Sequence, residues 1–530
     1  MIEIILSNKA YENDVYPLVK AFYPEETIKV YSEEERNQKV LEKKESETVN
    51  TTESSADTIA SADNVDSSDS SINVTNTERN SIVLIKEIII NFFNKEISVS
   101  VEDNTGNIVI QSLDVSAFHQ KAQYKNAMKR FLYQLLSRAS HKILPWGILT
   151  GIRPAKLVYE MLETGEEETV IRSRMKKEYY CSDAKITLSL RIAKREAELL
   201  NEIDYKNGYS LYIGIPFCPS TCLYCSFTSY SITKYSDYVE EYIKALEKEI
   251  AYGATCFPDK KLTTVYFGGG TPTTLTAEQL DRILGLVKKQ FDFTNVKEFC
   301  VEAGRPDSIT REKLEVLKKW DVNRISINPQ SMQQKTLDLI GRKHTVEEIK
   351  EAFKLAREIG HDNINMDIII GLPGETPEDI ADTLEQIKAL NPESLTVHTL
   401  ALKRAARLNI EKENYADLKA SKVPEMQEVT FRYAEENDYL PYYLYRQKNM
   451  ADNLENIGYS RHGKEGLYNI LIMEEQQTIL ALGAGGMSKI VFHDENRIER
   501  IDNVKSVTDY ITRIDEMITR KRDFLQANRI

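Results

Sequence analysis

From Leu211 onward the chain alternates between two hydrophobic rhythms. Short apolar runs at Leu211 to Ile215, Thr264 to Phe267, Glu298 to Glu302, Arg324 to Ile327, Asn363 to Ile370 and Leu395 to Leu400 have the length of buried strands. Between them, apolar residues recur at helical spacing over Tyr238 to Ala251, Ala277 to Phe291, Arg311 to Lys319, Val346 to Ile359 and Pro377 to Leu390. Strands joined by helical crossovers predict a parallel sheet with right-handed connections. In such sheets, ligand-binding groups gather at the carboxyl ends of the strands.

The pattern before Leu211 differs. Ile2 to Leu6, Thr27 to Tyr31, Ile82 to Ile88, Glu96 to Val101 and Asn107 to Gln111 read as strands, with Asn104-Thr-Gly106 as a hairpin turn. Helical spacing follows over Ala122 to Ser140, Pro154 to Leu162 and Asp183 to Leu200. The stretch 32–80 is rich in Ser, Thr, Asp, Asn and Glu and contains no aromatic residue. With little to bury, it is expected to be disordered. The expected organisation is therefore an N-terminal α+β domain from 1–31 and 81–205, a polar insert at 32–80, an α/β unit over 206–405 and a C-terminal region over 406–530. The domain boundary is expected near Asn201 to Tyr209.

Composition narrows the class. The formal net charge of −13 argues against a nucleic-acid surface as the main business of the chain. Met1-Ile-Glu-Ile-Ile-Leu-Ser lacks the basic region and cleavage site of a secretory signal, and even Ser81 to Asn94 carries Lys86 and Glu87, so no membrane span is expected. Of six cysteines, three fall within eight residues instead of spreading through the chain as a disulfide framework. A reducing cytoplasm is the natural setting, with Cys181, Cys256 and Cys300 as small packing residues.

The other three stand in Tyr212-Ile-Gly-Ile-Pro-Phe-Cys218-Pro-Ser-Thr-Cys222-Leu-Tyr-Cys225, just after the first apolar run. A structural zinc site takes four ligands and a disulfide two. Three close thiolates suit a four-iron cluster with one iron left open to a small molecule. After the second run comes Gly268-Gly-Gly-Thr-Pro-Thr273, whose backbone can approach a ligand closely. The third ends at Glu302, Gln330 and Arg342 follow the fourth, and the fifth carries Asp367 inside Ile364-Asn-Met-Asp-Ile-Ile-Ile370. A carboxylate in so apolar a strand is costly unless it is paired or bound.

Taken together, these motifs resemble the oxygen-independent coproporphyrinogen III oxidase family of radical S-adenosylmethionine (SAM) enzymes. Pro145-Trp-Gly-Ile-Leu-Thr-Gly-Ile-Arg-Pro154 and Tyr442-Tyr-Leu-Tyr-Arg-Gln-Lys-Asn449 extend the resemblance to a longer branch named coproporphyrinogen dehydrogenase. The resemblance implies a partial (β/α)6 radical SAM barrel, with closing elements from the N- and C-terminal parts. It also implies a [4Fe-4S] cluster on Cys218, Cys222 and Cys225, and SAM contacts from Tyr212, Tyr224, Gly269, Gly270, Thr271, Glu302, Gln330, Arg342, Asp367 and Ala401, some of them to a second SAM. The implied reaction is radical decarboxylation of two propionates of coproporphyrinogen III to vinyl groups, giving protoporphyrinogen IX in porphyrin biosynthesis. A monomer is implied, and a flavodoxin or ferredoxin donor would need a local basic patch on this acidic chain.

Arg305, Lys403, Arg404, Arg407 and Arg446 are candidates to meet the substrate's carboxylates, and His398 to assist protonation. The sequence departs from the decarboxylase branch at Phe227, where that branch has a fourth cysteine and a related haem-chaperone branch has Phe. The chaperone's His-Asn-x-x-Tyr-Trp signature is in turn not intact. His462 is the remnant and is expected at the surface.

Overall fold

The computed structural model describes all residues except 40, 43–84, 152, 226–228, 402–421, 447–449, 451–453 and 530. Two compact units emerge, one from Met1–Thr150 and Arg172–Lys185, the other from Gly151–Ile171 and Ile186–Ile530. The boundary expected near Asn201 to Tyr209 falls inside the second unit.

The first unit is a mixed sheet of β1 (Ile2–Leu6), β2 (Ile28–Ser32), β3 (Ile85–Phe92), β4 (Glu96–Asp103) and β5 (Ile108–Asp114), in the order β2-β1-β3-β4-β5. β1 runs parallel to both neighbours, while β3, β4 and β5 form antiparallel pairs. Alternation along β4 sends Ile97, Val99 and Val101 into the core. There they meet Val15, Leu18 and Phe22 from the helix Glu12–Phe22, and Met128, Leu132 and Leu136 from Lys121–Ser140. Periodicity alone passes over Glu12–Phe22, which carries Pro17 in its interior.

The stretch expected to be disordered from residue 32 is ordered at its start, where 33–39 are helical. Ser32 and Glu35 form a reciprocal cap, with Glu35 N–H donating to Ser32 Oγ (3.1 Å) and Ser32 N–H to Glu35 Oε2 (2.8 Å). Arg36 then binds both Glu87 oxygens, at 2.8 and 2.9 Å. Leu41 and Glu42 are helical as well, and residues 40 and 43–80 lie outside the described residues.

In the second unit an eleven-stranded sheet runs β14-β15-β13-β12-β11-β10-β9-β6-β16-β17-β18. Its strands are β6 (Gly208–Ile215), β9 (Lys261–Gly269), β10 (Glu298–Gly304), β11 (Arg324–Ile327), β12 (Ile364–Ile370), β13 (Ser394–Thr399), β14 (Leu440–Tyr445), β15 (Asn456–Ser460), β16 (Thr478–Leu482), β17 (Met487–Phe492) and β18 (Arg497–Asp502). The two-residue strands β7 (Phe217–Cys218) and β8 (Tyr230–Ser231) pair separately. All six strands expected from the sequence are present and parallel. Helices link successive strands, and capping boxes at Thr276, Thr345 and Thr376 start three of them. Every residue of β11 is buried, as is usual for a parallel strand covered on both faces.

The C-terminal region does more than cover this array. β16 adds a seventh parallel strand beside β6, and β15 pairs antiparallel with β13 at the far edge. A single isolated apolar run such as Thr478–Leu482 does not show which strand it will join, so both additions follow from tertiary pairing. The loop Leu482-Gly-Ala-Gly-Gly486 closes the turn from β16 to β17. Among the described residues no helix is long and apolar enough to cross a membrane.

Candidate functional site

The cysteine loop begins where β6 ends. Its base is closed by the parallel pairing of Phe217 with Tyr230 and Cys218 with Ser231, and by Tyr230 N–H donating to Pro216 O (2.8 Å). Across the loop, Leu223 N–H donates to Ile340 O (3.0 Å) and Cys225 N–H to Cys222 O (3.2 Å). Among the described residues no two cysteines form a disulfide, and Cys181, Cys256 and Cys300 are buried. Burial pushes the Cys218 thiol up to about 11, while the Thr271 hydroxyl, 3.6 Å from its sulphur, acts the other way. Among the described residues no three His, Cys, Asp or Glu side chains already form a metal-ligand set. Phe227 lies outside them.

Beside this loop lies the glycine turn that ends β9. Gly270 N–H donates to Ile215 O (2.8 Å) and Thr271 N–H to Phe217 O (2.7 Å), which ties the turn to the stem of the cysteine loop. Gly269 has φ +107, and a Cβ on Gly270 would lie 2.5 Å from Phe217 O. Only glycine permits this backbone and this approach.

The next strands carry the carboxylates. At the end of β10, Glu302 accepts a 2.5 Å hydrogen bond from the Tyr266 hydroxyl of β9. Burial pushes Glu302 up to about 7 despite that bond. Tyr266 stacks on Tyr468 with centroids 4.4 Å apart, and Tyr212 stacks on both rings at 6.3 Å. On β12, burial would raise Asp367, but His398 at 3.7 Å and the Asn365 amide at 2.6 Å hold it below the usual carboxylate range. Tyr212, Tyr266, Gly269, Gly270, Glu302, Asp367 and His398 are enclosed by protein yet keep part of their surface accessible, as groups lining a cleft do.

Gln330 is held at φ +67 by a bridge to β12, with its N–H donating to Asp367 O and its carbonyl accepting from Ile369 N–H, both at 2.9 Å. Among the described residues its Oε1 is buried without a hydrogen-bond partner, as are Ser326 Oγ and Asn328 Oδ1. Ser326 lies on β11, and Asn328 and Gln330 follow in the segment just past its end. Unpaired buried polar atoms are rare, and a row of them suits a polar ligand. The sequence singles out Gln330 but not its neighbours, although every second residue of Ser326-Ile-Asn-Pro-Gln330 is polar.

Arg342 donates to Asn328 O (2.7 Å) and to the Tyr224 hydroxyl (2.9 Å), linking β11 to the cysteine loop. Ala401 bridges Met450 beyond β13. Tyr468, buried and stacked on the cleft residue Tyr266, is a further residue that sequence reasoning did not supply. It arrives on the helix Leu467–Glu474, whose first N–H groups, of Leu467 and Tyr468, donate to Glu298 at 2.7 and 3.2 Å.

The proposed carboxylate-binding cations fare differently. Arg305 turns beneath the cysteine loop instead of facing the cleft, because Asp307 grips it in a bidentate pair. Arg446 is buried, whereas Lys403, Arg404 and Arg407 lie outside the described residues. His462 is exposed, as expected.

Residues 212–387 match the family model of the radical SAM superfamily. The oxygen-independent coproporphyrinogen-III oxidase-like protein HemZ of Bacillus subtilis is 43% identical over 408 residues, 76% of this chain and 81% of that one. The haem chaperone HemW of the same organism is 38% identical over 192 residues, 36% of this chain and 50% of that one. The oxygen-independent coproporphyrinogen III oxidase of Escherichia coli is 35% identical over 192 residues, 36% of this chain and 42% of that one. A solved structure titled as the coproporphyrinogen III oxidase HemN of E. coli aligns with TM-score 0.48 at 25% identity, over 59% of this chain and 70% of that one. The chain therefore belongs to the radical SAM superfamily, among the oxygen-independent coproporphyrinogen III oxidase-like proteins, and its cofactors are a [4Fe-4S] cluster and SAM.

Proposed function

We propose that this chain is an enzyme that oxidatively decarboxylates propionate side chains of coproporphyrinogen III, yielding protoporphyrinogen IX for porphyrin biosynthesis. One observation carries the reading: three cysteines outside any disulfide, a glycine turn and a run of polar atoms unpaired among the described residues meet at the carboxyl ends of the same parallel strands. The substrate class is supported by the 43% identical relative, an oxygen-independent coproporphyrinogen-III oxidase-like protein.

In this reading Cys218, Cys222 and Cys225 hold the cluster and leave one iron for SAM. When bound, the two cofactors supply one-electron cleavage of a sulfonium and a carbon radical able to take hydrogen from a propionate. The chain's own residues bind, orient and keep out water. The backbone at Gly269, Gly270 and Thr271 takes the charged ends of the amino acid, and Glu302 accepts hydrogen bonds from its ammonium or from the ribose hydroxyls. Tyr212, Tyr224, Gln330, Arg342, Asp367 and Ala401 line the remaining contacts. The Tyr212, Tyr266 and Tyr468 rings fill the cleft with apolar surface, which excludes water around reactive species. An external one-electron donor of the flavodoxin or ferredoxin kind supplies the first electron, and an external one-electron acceptor takes the electron that the substrate gives up as CO2 leaves.

Phe227 favours a second reading, a haem carrier that keeps the cluster and SAM without turnover. Anaerobically reconstituted protein given SAM, reductant and coproporphyrinogen III separates the two. The enzyme is expected to release CO2 and form vinyl product, and Cys222→Ala is expected to lose the iron–sulphur absorbance and all product. Stable haem binding with no CO2 from the wild-type protein would overturn the proposal.

A further inference from the structure

Beneath the cysteine loop lies a charged group that the cleft does not use. Strand β10 is bulged between Glu302 and Gly304, and Gly304 O then accepts from Asn328 N–H at 3.0 Å. This turn drops Arg305 under the loop, where it is 3% exposed. Its Nη1 donates to Ser220 O (3.0 Å) and Ser220 Oγ (2.9 Å) and stands 3.7 Å from Cys222 Sγ. The other edge of the guanidinium is clamped, with Nε donating to Asp307 Oδ1 (2.9 Å) and Nη2 to Asp307 Oδ2 (2.7 Å).

Asp307 is set in turn from behind. His344, wholly buried, brings Nδ1 to 3.8 Å from Asp307 Oδ1. A bidentate pair of this kind has one geometry, so the positive edge of the guanidinium is aimed at Ser220 and Cys222 and the carboxylate is held away from them. Arginine keeps its charge at any physiological pH, and a buried site screens that charge weakly.

We infer that Arg305 is a positioning residue that sets the reduction potential of the cluster through Cys222, with Asp307 fixing its aim. The inference rests on the proposed reading in which Cys218, Cys222 and Cys225 are the cluster ligands. A cation and N–H donor beside a ligand sulphur stabilises the reduced cluster, which carries one more electron, and so moves the potential upward. The same contacts to Ser220 hold the loop's first turn in place. Arg305 thus serves the electron's entry and not the substrate's carboxylates.

The test is an anaerobic redox titration of the reconstituted full chain, followed by electron paramagnetic resonance of the reduced cluster, with iron and sulphide counted per chain. At wild-type cluster content, Arg305→Gln is expected to lower the midpoint by about 59 mV, a tenfold change in the ratio of reduced to oxidised cluster for one electron. Arg305→Lys, which keeps the charge without the fork, should fall by less. Asp307→Asn removes the balancing negative charge and should move the midpoint the opposite way. Residues that merely brace the loop would change cluster content and leave the midpoints together. If Arg305→Gln does not load, Arg305→Lys and Asp307→Asn still decide, since two midpoints equal to wild type overturn the inference. A wild-type chain that binds no cluster would sink the ligand assignment itself, a result distinct from a loaded cluster with an unmoved potential.

Discussion

Two glutamates in the second unit are enclosed by protein and treated in opposite ways. Glu249, on the helix Ile232–Gly253 at the C-terminal edge of the sheet, is wholly inaccessible and fully satisfied. Its Oε1 accepts from Lys521 Nζ (2.7 Å) and Asn503 Nδ2 (2.8 Å), and its Oε2 from Gly483 N–H (2.7 Å) and the Tyr510 hydroxyl (2.5 Å). Glu302, at the mouth of the parallel array, has the Tyr266 hydroxyl alone among the described residues and stays partly accessible. A carboxylate with four donors has no capacity left for a ligand. One with a single donor, in a cleft that raises it to about 7, has a position still to fill.

The largest effect should come from breaking the satisfied site. Lys521→Met leaves Glu249 buried without its cation, and a loss of about 3–5 kcal/mol in chemical denaturation is expected. A loss below about 1 kcal/mol would put Glu249 in the same class as a surface pair.

Glu302→Gln should do the reverse. The side chain keeps its shape and its bond to Tyr266, so unfolding should be little changed. SAM affinity, measured anaerobically by calorimetry, should weaken about tenfold to a hundredfold, as expected for one hydrogen bond to a charged group. Unchanged affinity would remove Glu302 from the SAM site.

The subtlest distinction is in pH. Glu302 is raised in the folded chain, so its contribution to stability is present below the unfolded value of about 4.5 and is lost as pH rises through about 7. Ligand-free protein should therefore become less stable between about pH 4.5 and 7, and Glu302→Gln should flatten that part of the profile. SAM affinity should move oppositely, strengthening as the carboxylate ionises. Parallel slopes for stability and affinity would contradict the assigned role.

Much of this site was legible before folding. The cysteine spacing, the Gly268-Gly-Gly-Thr-Pro-Thr273 turn, Glu302 and Asp367 all stand directly after or within apolar runs, and parallel topology brings such positions to one end. The polar run Ser326, Asn328 and Gln330 has a period of two in sequence, but only the structure shows that β11 ends at Ile327 and that an isolated bridge to β12 holds Gln330. Tyr468 and Arg305 were not readable in their actual roles. Tyr468 joins Tyr266 across 202 residues through the anchoring of its helix on Glu298, and Arg305 faces the loop only because of a bulge and its neighbour Asp307.

The sequence by itself determined what local spacing encodes: six strands joined by five helices, the chemistry placed after several of those strands, and a polar stretch with little to bury. Tertiary structure alone decided which strands flank that array, with β16 set beside β6 and β15 beside β13, and which charged groups are saturated or left open. The physical reason is the reach of the interactions. Periodicity and capping act within a few residues, whereas strand partners and buried charge pairs such as Glu249 with Lys521 are chosen by contacts made only after distant segments have packed.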